Sequence, residues 1–180
     1  MRRNSYGSFV AALLVIVLGA GPVEAEAEKQ QSIATQGWST YKNPRFGFQL
    51  SYPGGLLLRK ETPNSTDGAV WTTADGKASL LATAASNETS ETLESYRAFV
   101  MGETYAGASF DYTPMRDNWF VLSGQKGDAM FYERITFVCG GRYIYGWQMN
   151  YPAEQRSRFD AIVEAVHRSY RPGRGQDGSC

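Results

Sequence analysis

The stretch that decides the fold is the run from residue 143 to residue 152, which reads YIYGWQMNYP. Gly146, Gln148 and Asn150 lie at even-numbered positions, between large side chains at the odd-numbered positions. A period of two predicts a strand with one buried face. The side chains that we expect to be core, beneath both predicted helices, are Tyr143, Tyr145, Trp147, Met149 and Tyr151.

This run is the last of four strand-like segments that are separated only by short turns. The strand-like segments are residues 110–115, 119–123, 129–139 and 142–151. The turns are Asp117-Asn118, Gly127-Asp128 and Gly140-Gly141. Connections of this length leave no room for crossover helices, so the strands are predicted to form an antiparallel meander.

A helix is predicted directly after the last strand. Pro152 suits its first turn, where the missing N–H group has no helical partner. Pro172-Gly173 is expected to end the helix. One side of the helix is apolar at helical spacing, with Phe159, Ile162, Val163, Val166 and Tyr170.

The N-terminal part of the chain predicts further strands. A half-buried strand is predicted over residues 46–52, and Pro53 stops it. Its buried face consists of Phe46, Phe48, Leu50 and Tyr52. A short strand is predicted over residues 56–60. Asp75-Gly76 joins two strand-like runs, 69–74 and 77–83, and this pair predicts a hairpin with a type I′ turn.

Another helix is predicted between this hairpin and the meander. Thr89 and Ser90 are the candidate N-caps, and Gly102 or Gly107 is expected to end the helix. Its apolar side is formed by Leu93, Tyr96, Phe99 and Val100. The predicted fold is therefore α+β, a single domain over residues 38–171 in which two main helices pack on an antiparallel β-sheet meander.

The N-terminus resembles a secretory signal peptide. Arg2 and Arg3 precede an apolar run over residues 9–20, and small residues follow at Ala25 and Ala27. Cleavage after Ala27 or Ala25 would release a protein that is periplasmic or secreted, with no stable membrane insertion. We expect residues 28–37 to be a flexible leader and residues 172–180 to be a C-terminal tail.

The charge balance argues against a nucleic-acid partner. Lys and Arg number 18, and Asp and Glu also number 18. Nucleic-acid binding needs a basic excess or patch, which the sequence lacks. The expected partner is an envelope protein or polymer of unknown identity.

The two cysteines are interpreted in the light of the predicted export. Cys139 lies in a strand pattern, and Cys180 is the last residue of the tail. In an oxidising compartment, two cysteines predict one disulfide, which would hold the tail against the sheet. The alternative is that Cys139 is a small buried apolar residue and Cys180 a free thiol.

Several stretches of the chain resemble a known protein family. The stretch YKNPRFGFQLSYP at residues 41–53 resembles the opening strand of the PsbP/Mog1-like superfamily. The segments WFVLSG at 119–124 and FYER at 131–134 resemble uncharacterised exported bacterial proteins of that type. The resemblance covers residues 38–171 and implies the fold of small accessory or binding proteins. It transfers no ligand-binding residue to this chain.

Candidate catalytic groups are few. His167 is the one histidine, and neither cysteine nor any serine lies in a nucleophile-elbow pattern, so we expect His167 to be structural. A protonated histidine at this helix C-terminus would suit the helix dipole. Residues 173–178 match G-x-G-x-x-G, but a helix precedes them where a strand is required. Glu133 and Asp128 are the better candidates for acid–base chemistry on a glycan. We assign no catalytic, cofactor or metal-binding residue.

The aromatic face of the last strand offers two alternatives. If exposed, Tyr143, Tyr145, Trp147 and Tyr151 would form a platform for binding sugar rings or a partner. If buried, these rings are core, which the pattern favours. The preferred function is an exported, non-enzymatic binding or accessory protein of the cell envelope. The alternatives are an envelope glycan hydrolase that uses strand carboxylates, and an inhibitor or immunity protein against an exported enzyme.

Overall fold

The computed structural model describes residues 37–61 and 66–180. The predicted signal peptide, residues 1–27, lies outside the described residues, and so does the predicted leader except for Gly37. The described strands are β1 Trp38–Lys42, β2 Gln49–Pro53, β3 Leu58–Lys60, β4 Gly68–Thr72, β5 Ser79–Ser86, β6 Ser109–Tyr112, β7 Met115–Arg116, β8 Trp119–Lys126, β9 Ala129–Val138 and β10 Tyr143–Pro152. The described α-helices are α1 Leu93–Phe99 and α2 Arg156–Ser169.

The strands form one large sheet and one hairpin. The large sheet has the order β3-β4-β5-β10-β9-β8-β6, and β7 pairs with β8 beside β6. Every neighbouring pair in it is antiparallel. Strands β1 and β2 pair with each other as a separate two-stranded hairpin. The predicted α+β class and antiparallel meander are therefore confirmed.

The helices lie on opposite faces of the large sheet. The α2 face carries the odd-numbered side chains of β10 and is covered by α2 and by the β1–β2 hairpin. The α1 face carries the even-numbered side chains of β10, and α1 packs there against β8 and β9. The expectation that the aromatic stripe lies beneath both helices is wrong, because α1 covers the other face.

The N-terminal hairpin replaces the single strand predicted over residues 46–52. Residues 43–48 form the loop between β1 and β2, and Gly47 has a φ of 70° that favours glycine. The buried Asn43 side chain accepts hydrogen bonds from the backbone N–H groups of Arg45 (3.0 Å) and Phe46 (2.7 Å). The alternating pattern nevertheless predicted burial correctly for Phe46, Phe48 and Leu50.

The hairpin between β4 and β5 is confirmed, but its turn is not type I′. Only Gly76 of the Asp75-Gly76 pair has a positive φ (71°). The loop is instead held by Asp75 Oδ1, which accepts hydrogen bonds from the Thr73 hydroxyl (2.6 Å) and the Lys77 backbone N–H (3.1 Å). An aspartate that bonds nearby backbone in this way stabilises a longer loop.

Helix α1 begins later than predicted. Its N-cap is Thr92, which forms a capping box with Ser95, and neither Thr89 nor Ser90 caps the helix. Residues Val100–Thr104 continue it as a π-helical turn. Phe99 is 58% exposed, so its predicted burial is wrong.

Helix α2 follows the prediction closely. A 3₁₀ turn, Ala153–Gln155, leads into it after Pro152. The predicted apolar side is buried against the sheet, with Phe159, Ile162, Val163, Val166 and Tyr170. Within residues 37–61 and 66–180, no helix has the length and hydrophobicity needed to cross a membrane.

Candidate functional site

A groove of about 430 Å³ opens on the α1 face. Helix α1 contains only seven residues, and it lies over β8 and β9, so it leaves part of β5 and β10 uncovered. The groove runs between the helix and these strands. Its lining residues include Leu81, Thr83, Asn87, Tyr96, Glu133, Ile135, Ile144, Gly146 and Gln148.

The π-helical turn after α1 places Tyr105 beside the groove. The Tyr105 backbone N–H donates to the Val100 carbonyl (3.0 Å), which is the i→i+5 bond of a π-turn. The Tyr105 side chain is buried, and its ring stacks on Phe131 with 3.9 Å between the ring centroids. This packing fixes the tyrosine hydroxyl close to the sheet.

Tyr105, Gln148 and Glu133 form a polar cluster at one end of the groove. Glu133 on β9 pairs in register with Gln148 on β10. The Gln148 amide Nε2 donates to the Tyr105 hydroxyl (2.8 Å), and the Glu133 carboxyl lies near that hydroxyl. Oε2 of Glu133 is buried without a hydrogen-bond partner. The cluster therefore retains one unused polar atom.

Burial dominates the electrostatics of this cluster. Burial raises the pKa of Glu133 above its ordinary value, and the nearby Tyr105 hydroxyl opposes this shift. Burial also raises the pKa of Tyr105 and Tyr96, and the nearby Glu133 carboxylate adds to both shifts. Both tyrosines therefore stay protonated at neutral pH.

The floor of the groove depends on Gly146. A Cβ at this position would lie 2.8 Å from Cδ1 of Ile135, so any larger residue would occupy the space beside the strands. Leu81, Ile135 and Ile144 provide apolar lining. The groove thus combines an apolar wall with a carboxyl group at its polar end, which is the usual composition of a small-molecule site.

The second candidate carboxylate lies elsewhere. Asp128 follows β8 in the turn before β9 and lines a separate, open depression with Lys77, Lys126 and Glu154. Glu133 is the one carboxylate among the groove-lining residues that the structure describes. Because Glu133 and Asp128 line different depressions, the structure does not bring them together as an acid–base pair.

The aromatic stripe of β10 is core. Tyr145, Trp147 and Tyr151 are buried on the α2 face, and Tyr143 is half-buried with its ring against Phe46. The platform alternative is therefore wrong for the three buried rings. The site lies on the other face of the same strand, where Gly146 and Gln148 interrupt the apolar pattern. That interruption was the available signal in the sequence.

His167 lies between two side chains of β9. Its Nδ1 is 2.7 Å from the Tyr132 hydroxyl, and its Nε2 is 3.1 Å from the Arg134 guanidinium. Arginine only donates, so Nε2 accepts and we assign the ring proton to Nδ1. Burial, followed by the charges of Arg134 and Arg168, lowers the pKa of His167. Burial and these two arginines therefore disfavour the protonated form that the helix dipole would favour.

The predicted disulfide is confirmed. Cys139 and Cys180 are bonded, with 5.0 Å between their Cα atoms. The tail between α2 and Cys180 is also held by hydrogen bonds, since Gly175 N–H donates to the Tyr145 hydroxyl (2.9 Å) and Asp177 N–H donates to the Arg45 carbonyl (2.9 Å). The G-x-G-x-x-G match lies in this packed tail. Among the described residues, no group of three or more His, Cys, Asp or Glu side chains is placed to hold a metal ion.

Two solved structures are similar to this fold. Cyanobacterial PsbP (CyanoP) from Synechocystis sp. PCC 6803 matches with a TM-score of 0.57 and 13% identity, over 76% of this chain and 93% of that chain. The Ran-binding protein Mog1p of Saccharomyces cerevisiae matches with a TM-score of 0.50 and 11% identity, over 77% of this chain and 96% of that chain. No family model and no curated protein sequence matches the chain. The likeness to these two structures confirms the fold that the resemblance implied, so the chain has the PsbP/Mog1-like fold.

Proposed function

We propose that the protein is an exported, non-enzymatic binding or accessory protein of the cell envelope, and that it holds its ligand in the groove on the α1 face. The observation that carries this proposal is the groove itself, which has a volume of about 430 Å³, an apolar wall and the polar side chains of Glu133 and Gln148 at one end. A concave site with an apolar wall and a few polar groups is the usual form of a small-molecule binding site.

The groove supports binding better than hydrolysis. Glycoside hydrolysis by the usual mechanisms needs two carboxyl groups that flank the scissile bond. Glu133 is the one carboxylate described in the groove lining, and Asp128 lines another depression. The groove is also half-open and bordered by the polar side chains of Thr83, Asn87 and Thr104. This arrangement suits a ligand that is held and released unchanged.

The disulfide supports export. Structural disulfides such as that between Cys139 and Cys180 are typical of oxidising compartments, such as a periplasm or the cell exterior. The signal-peptide pattern of the N-terminus agrees with this location. Cell fractionation followed by N-terminal sequencing of the exported protein tests this part, and we expect a start at Glu26 or Glu28. Recovery of the intact N-terminus in the cytoplasm would contradict it.

The binding role is tested with a variant that fills the groove. Gly146→Val places a branched side chain on the groove floor, and Gly37→Val is the matched control because its Cβ would meet no atom within 4 Å. Both variants and the wild type are incubated with envelope extract, and bound species are detected by native mass spectrometry. We expect the wild type and Gly37→Val to retain an added mass that Gly146→Val lacks.

The same incubation separates the alternatives. Chemical conversion of an envelope polymer by the wild type, without conversion by Gly146→Val, would replace the binding role with that of a hydrolase. Equal retention of the added mass by Gly146→Val would show that the ligand binds outside the groove. A retained mass that is another exported enzyme would favour the inhibitor or immunity alternative.

A further inference from the structure

We infer that the protein has a second binding site, on the α2 face, where Arg134 and Tyr132 bind a carboxylate that belongs to an acidic side chain of a partner protein. The partner lies on the part of this face that α2 leaves open, beside Trp119 and Tyr112. The groove is on the other face of the sheet, so this inference does not rest on the proposed function.

Strands β8 and β6 are open on the α2 face. In the described part of the chain, α2 packs mainly on β2 and β10, whereas β8 and β6 mainly contact neighbouring strands and α1 on the other face. Ser123 pairs in register with Tyr132 on one side and with Tyr112 on the other, so these three side chains share the α2 face. Tyr112 is 56% exposed. A partner therefore has access to this face from the side of β6.

Arg134 lies between α2 and the open area, and it has a donor group that is not used. Its guanidinium carbon lies 4.5 Å from the centroid of the Trp119 ring. Its only hydrogen bond with a described residue joins Nη1 to Nε2 of His167 (3.1 Å). Nε is buried without a partner, so it does not reach a ligand. Nη2 also has no partner among the described residues, but it is not buried, and its hydrogens are therefore available.

The Tyr132 hydroxyl supplies a second donor. Because Nε2 of His167 accepts from Arg134, the ring hydrogen is on Nδ1 and is donated to the Tyr132 oxygen (2.7 Å). The hydroxyl hydrogen of Tyr132 is therefore not used in this bond. Burial raises the pKa of Tyr132 to about 12, against the opposing charge of Arg134, so the hydroxyl keeps its hydrogen at neutral pH. His167 is thus a positioning residue that connects the two donors.

The charges around these donors favour an anion. Arg134 forms no ion pair with an Asp or Glu side chain among the described residues. Burial lowers the pKa of His167, and the two charges that add to this shift are those of Arg134 and Arg168. Arg168 is paired with Glu164 (3.3 Å), so Arg134 is the one of these two arginines that lacks a counter-charge. An anionic ligand supplies that counter-charge.

Arg134 is not needed to cap α2. Two of the last carbonyl groups of the helix have other partners, since the Val166 carbonyl accepts from the Ser169 hydroxyl (2.8 Å) and the Arg168 carbonyl accepts from Arg171 Nη1 (2.7 Å). The free donors of Arg134 therefore remain available to a molecule outside the chain.

The donors fit a carboxylate better than a phosphate. One carboxylate oxygen accepts from Arg134 Nη2, and the other accepts from the Tyr132 hydroxyl. A phosphate has a third oxygen and more negative charge, which one arginine does not neutralise. Arginine, tryptophan and tyrosine are also the side chains that contribute most at protein interfaces, and Trp119 and Tyr112 lie beside the two donors.

Acetate, acetamide and methylphosphonate test the class of ligand, because they carry the same methyl group on three different polar groups. Each is titrated into the isotope-labelled, disulfide-bonded protein at neutral pH and constant ionic strength. Binding is followed by the NMR signals of the Arg134 Nε–H, the Trp119 indole N–H and the Ser123 amide. We expect acetate to bind about tenfold more tightly than acetamide, since charged hydrogen bonds are stronger than neutral ones. Binding of acetamide or methylphosphonate as tight as that of acetate would overturn the carboxylate class.

Variants assign acetate binding to the two donors. Arg134→Gln should remove the saturable shifts, and Arg134→Lys and Tyr132→Phe should each weaken acetate binding about fivefold. Arg168→Gln is the matched control, because it removes a nearby cation that is paired and exposed, and it should change the affinity less than about twofold. The methyl signals of Val166 show whether each variant keeps the fold, and the two conservative variants decide if Arg134→Gln does not. An equal loss of affinity in Arg168→Gln and Arg134→Lys would overturn the site.

Two blocked tripeptides test whether the carboxylate comes from a protein. Acetyl-Ala-Asp-Ala-amide is expected to bind more tightly than acetate, because Tyr112 and Trp119 offer contacts to a peptide chain. Acetyl-Ala-Asn-Ala-amide is its neutral match and should not bind. Tighter binding of acetate than of the acidic tripeptide would assign the site to free small carboxylates and overturn the protein partner.

The remaining outcomes separate this inference from the proposed function. Gly146→Val fills the groove and should leave acetate binding unchanged. Loss of acetate binding in Gly146→Val would place the carboxylate in the groove and overturn the second site. If acetate does not bind the wild type, the second site is wrong, and the experiment with envelope extract still decides the proposed function independently.

Discussion

The two faces of the large sheet are built from the same strands but have different roles. On the α2 face, helix α2, the β1–β2 hairpin and the tail bury the aromatic rings of β10. On the α1 face, a seven-residue helix covers only part of the sheet and leaves Glu133 beside an open groove. Alternation along one strand therefore supplies stability on one face and a candidate binding site on the other.

The largest effect is expected from removing a ring on the α2 face. Trp147 is 1% exposed and stacks on Tyr132 with 5.0 Å between the ring centroids. Trp147→Ala should lower the free energy of unfolding by about 3–5 kcal/mol, since it leaves a large cavity. Ile144→Ala, on the half-buried groove wall, should cost about 1 kcal/mol. Equal losses of unfolding free energy in Trp147→Ala and Ile144→Ala, measured by urea denaturation, would contradict the difference between the two faces.

Loss of the disulfide should have the next largest effect. The bond joins residues 41 positions apart and holds the tail that packs on the α2 face. The double variant Cys139→Ser/Cys180→Ser should lose about 3 kcal/mol of unfolding free energy, because the unfolded chain gains freedom. Reduced wild type is the matched control and should unfold at the same urea concentration as the variant. An unchanged midpoint in both would show that packing alone holds the tail.

Replacing Glu133 in the groove is expected to have a smaller effect, and to raise the free energy of unfolding rather than lower it. Burial raises the pKa of Glu133 above 4.5, so its contribution to stability is present at low pH and is lost as pH rises through the folded-state pKa. Glu133→Gln should therefore raise the free energy of unfolding at neutral pH by about 1 kcal/mol. Glu164→Gln, whose side chain is 72% exposed, should change it by less than about 0.5 kcal/mol. Destabilisation by Glu133→Gln would show that the carboxylate supports the fold.

The smallest effect concerns His167 on the α2 face. The folded-state pKa of His167 is lowered below 6.5. The contribution of His167 to the free energy of unfolding is therefore present above pH 6.5, and it is lost as the pH falls through the folded-state pKa. In a protein that carries Glu133→Gln, the urea concentration at the midpoint of unfolding should decrease as the pH is lowered from about 7.5 to about 5.5. Adding His167→Gln should reduce that fall. An identical fall in both proteins would assign the pH dependence to other groups.

The sequence predicted the α2 face well because that face depends on periodicity. The odd-numbered residues of β10 and the apolar side of α2 repeat at the spacing of their own elements, so burial follows from local pattern. The predictions of the turn type at Asp75-Gly76 and of the N-cap of α1 were wrong in detail. Both depend on which of several nearby polar side chains bonds the backbone, and Thr92 with Ser95 forms a more complete cap than Thr89 or Ser90.

The groove was not predictable in the same way. It exists because α1 lies over β8 and β9 rather than over the centre of the sheet, which is a property of tertiary packing. The π-helical turn that positions Tyr105 has no repeating signal in the sequence. Glu133 was identified as a candidate carboxylate, whereas its partners Tyr105 and Gln148 lie 28 and 15 positions away in the chain.

The pairing of Gln49 with Arg171 bears on the order in which the protein folds. Their backbones exchange two hydrogen bonds, of 3.0 and 2.9 Å, between the N-terminal hairpin and the segment after α2. The hairpin thus lacks this partner until the ribosome has made the C-terminal residues. Contacts between such distant residues form slowly, so the nascent chain stays incompletely folded during synthesis. For a protein exported as proposed, that delay would keep the polypeptide loose enough to be threaded through a membrane translocation channel before it folds on the far side.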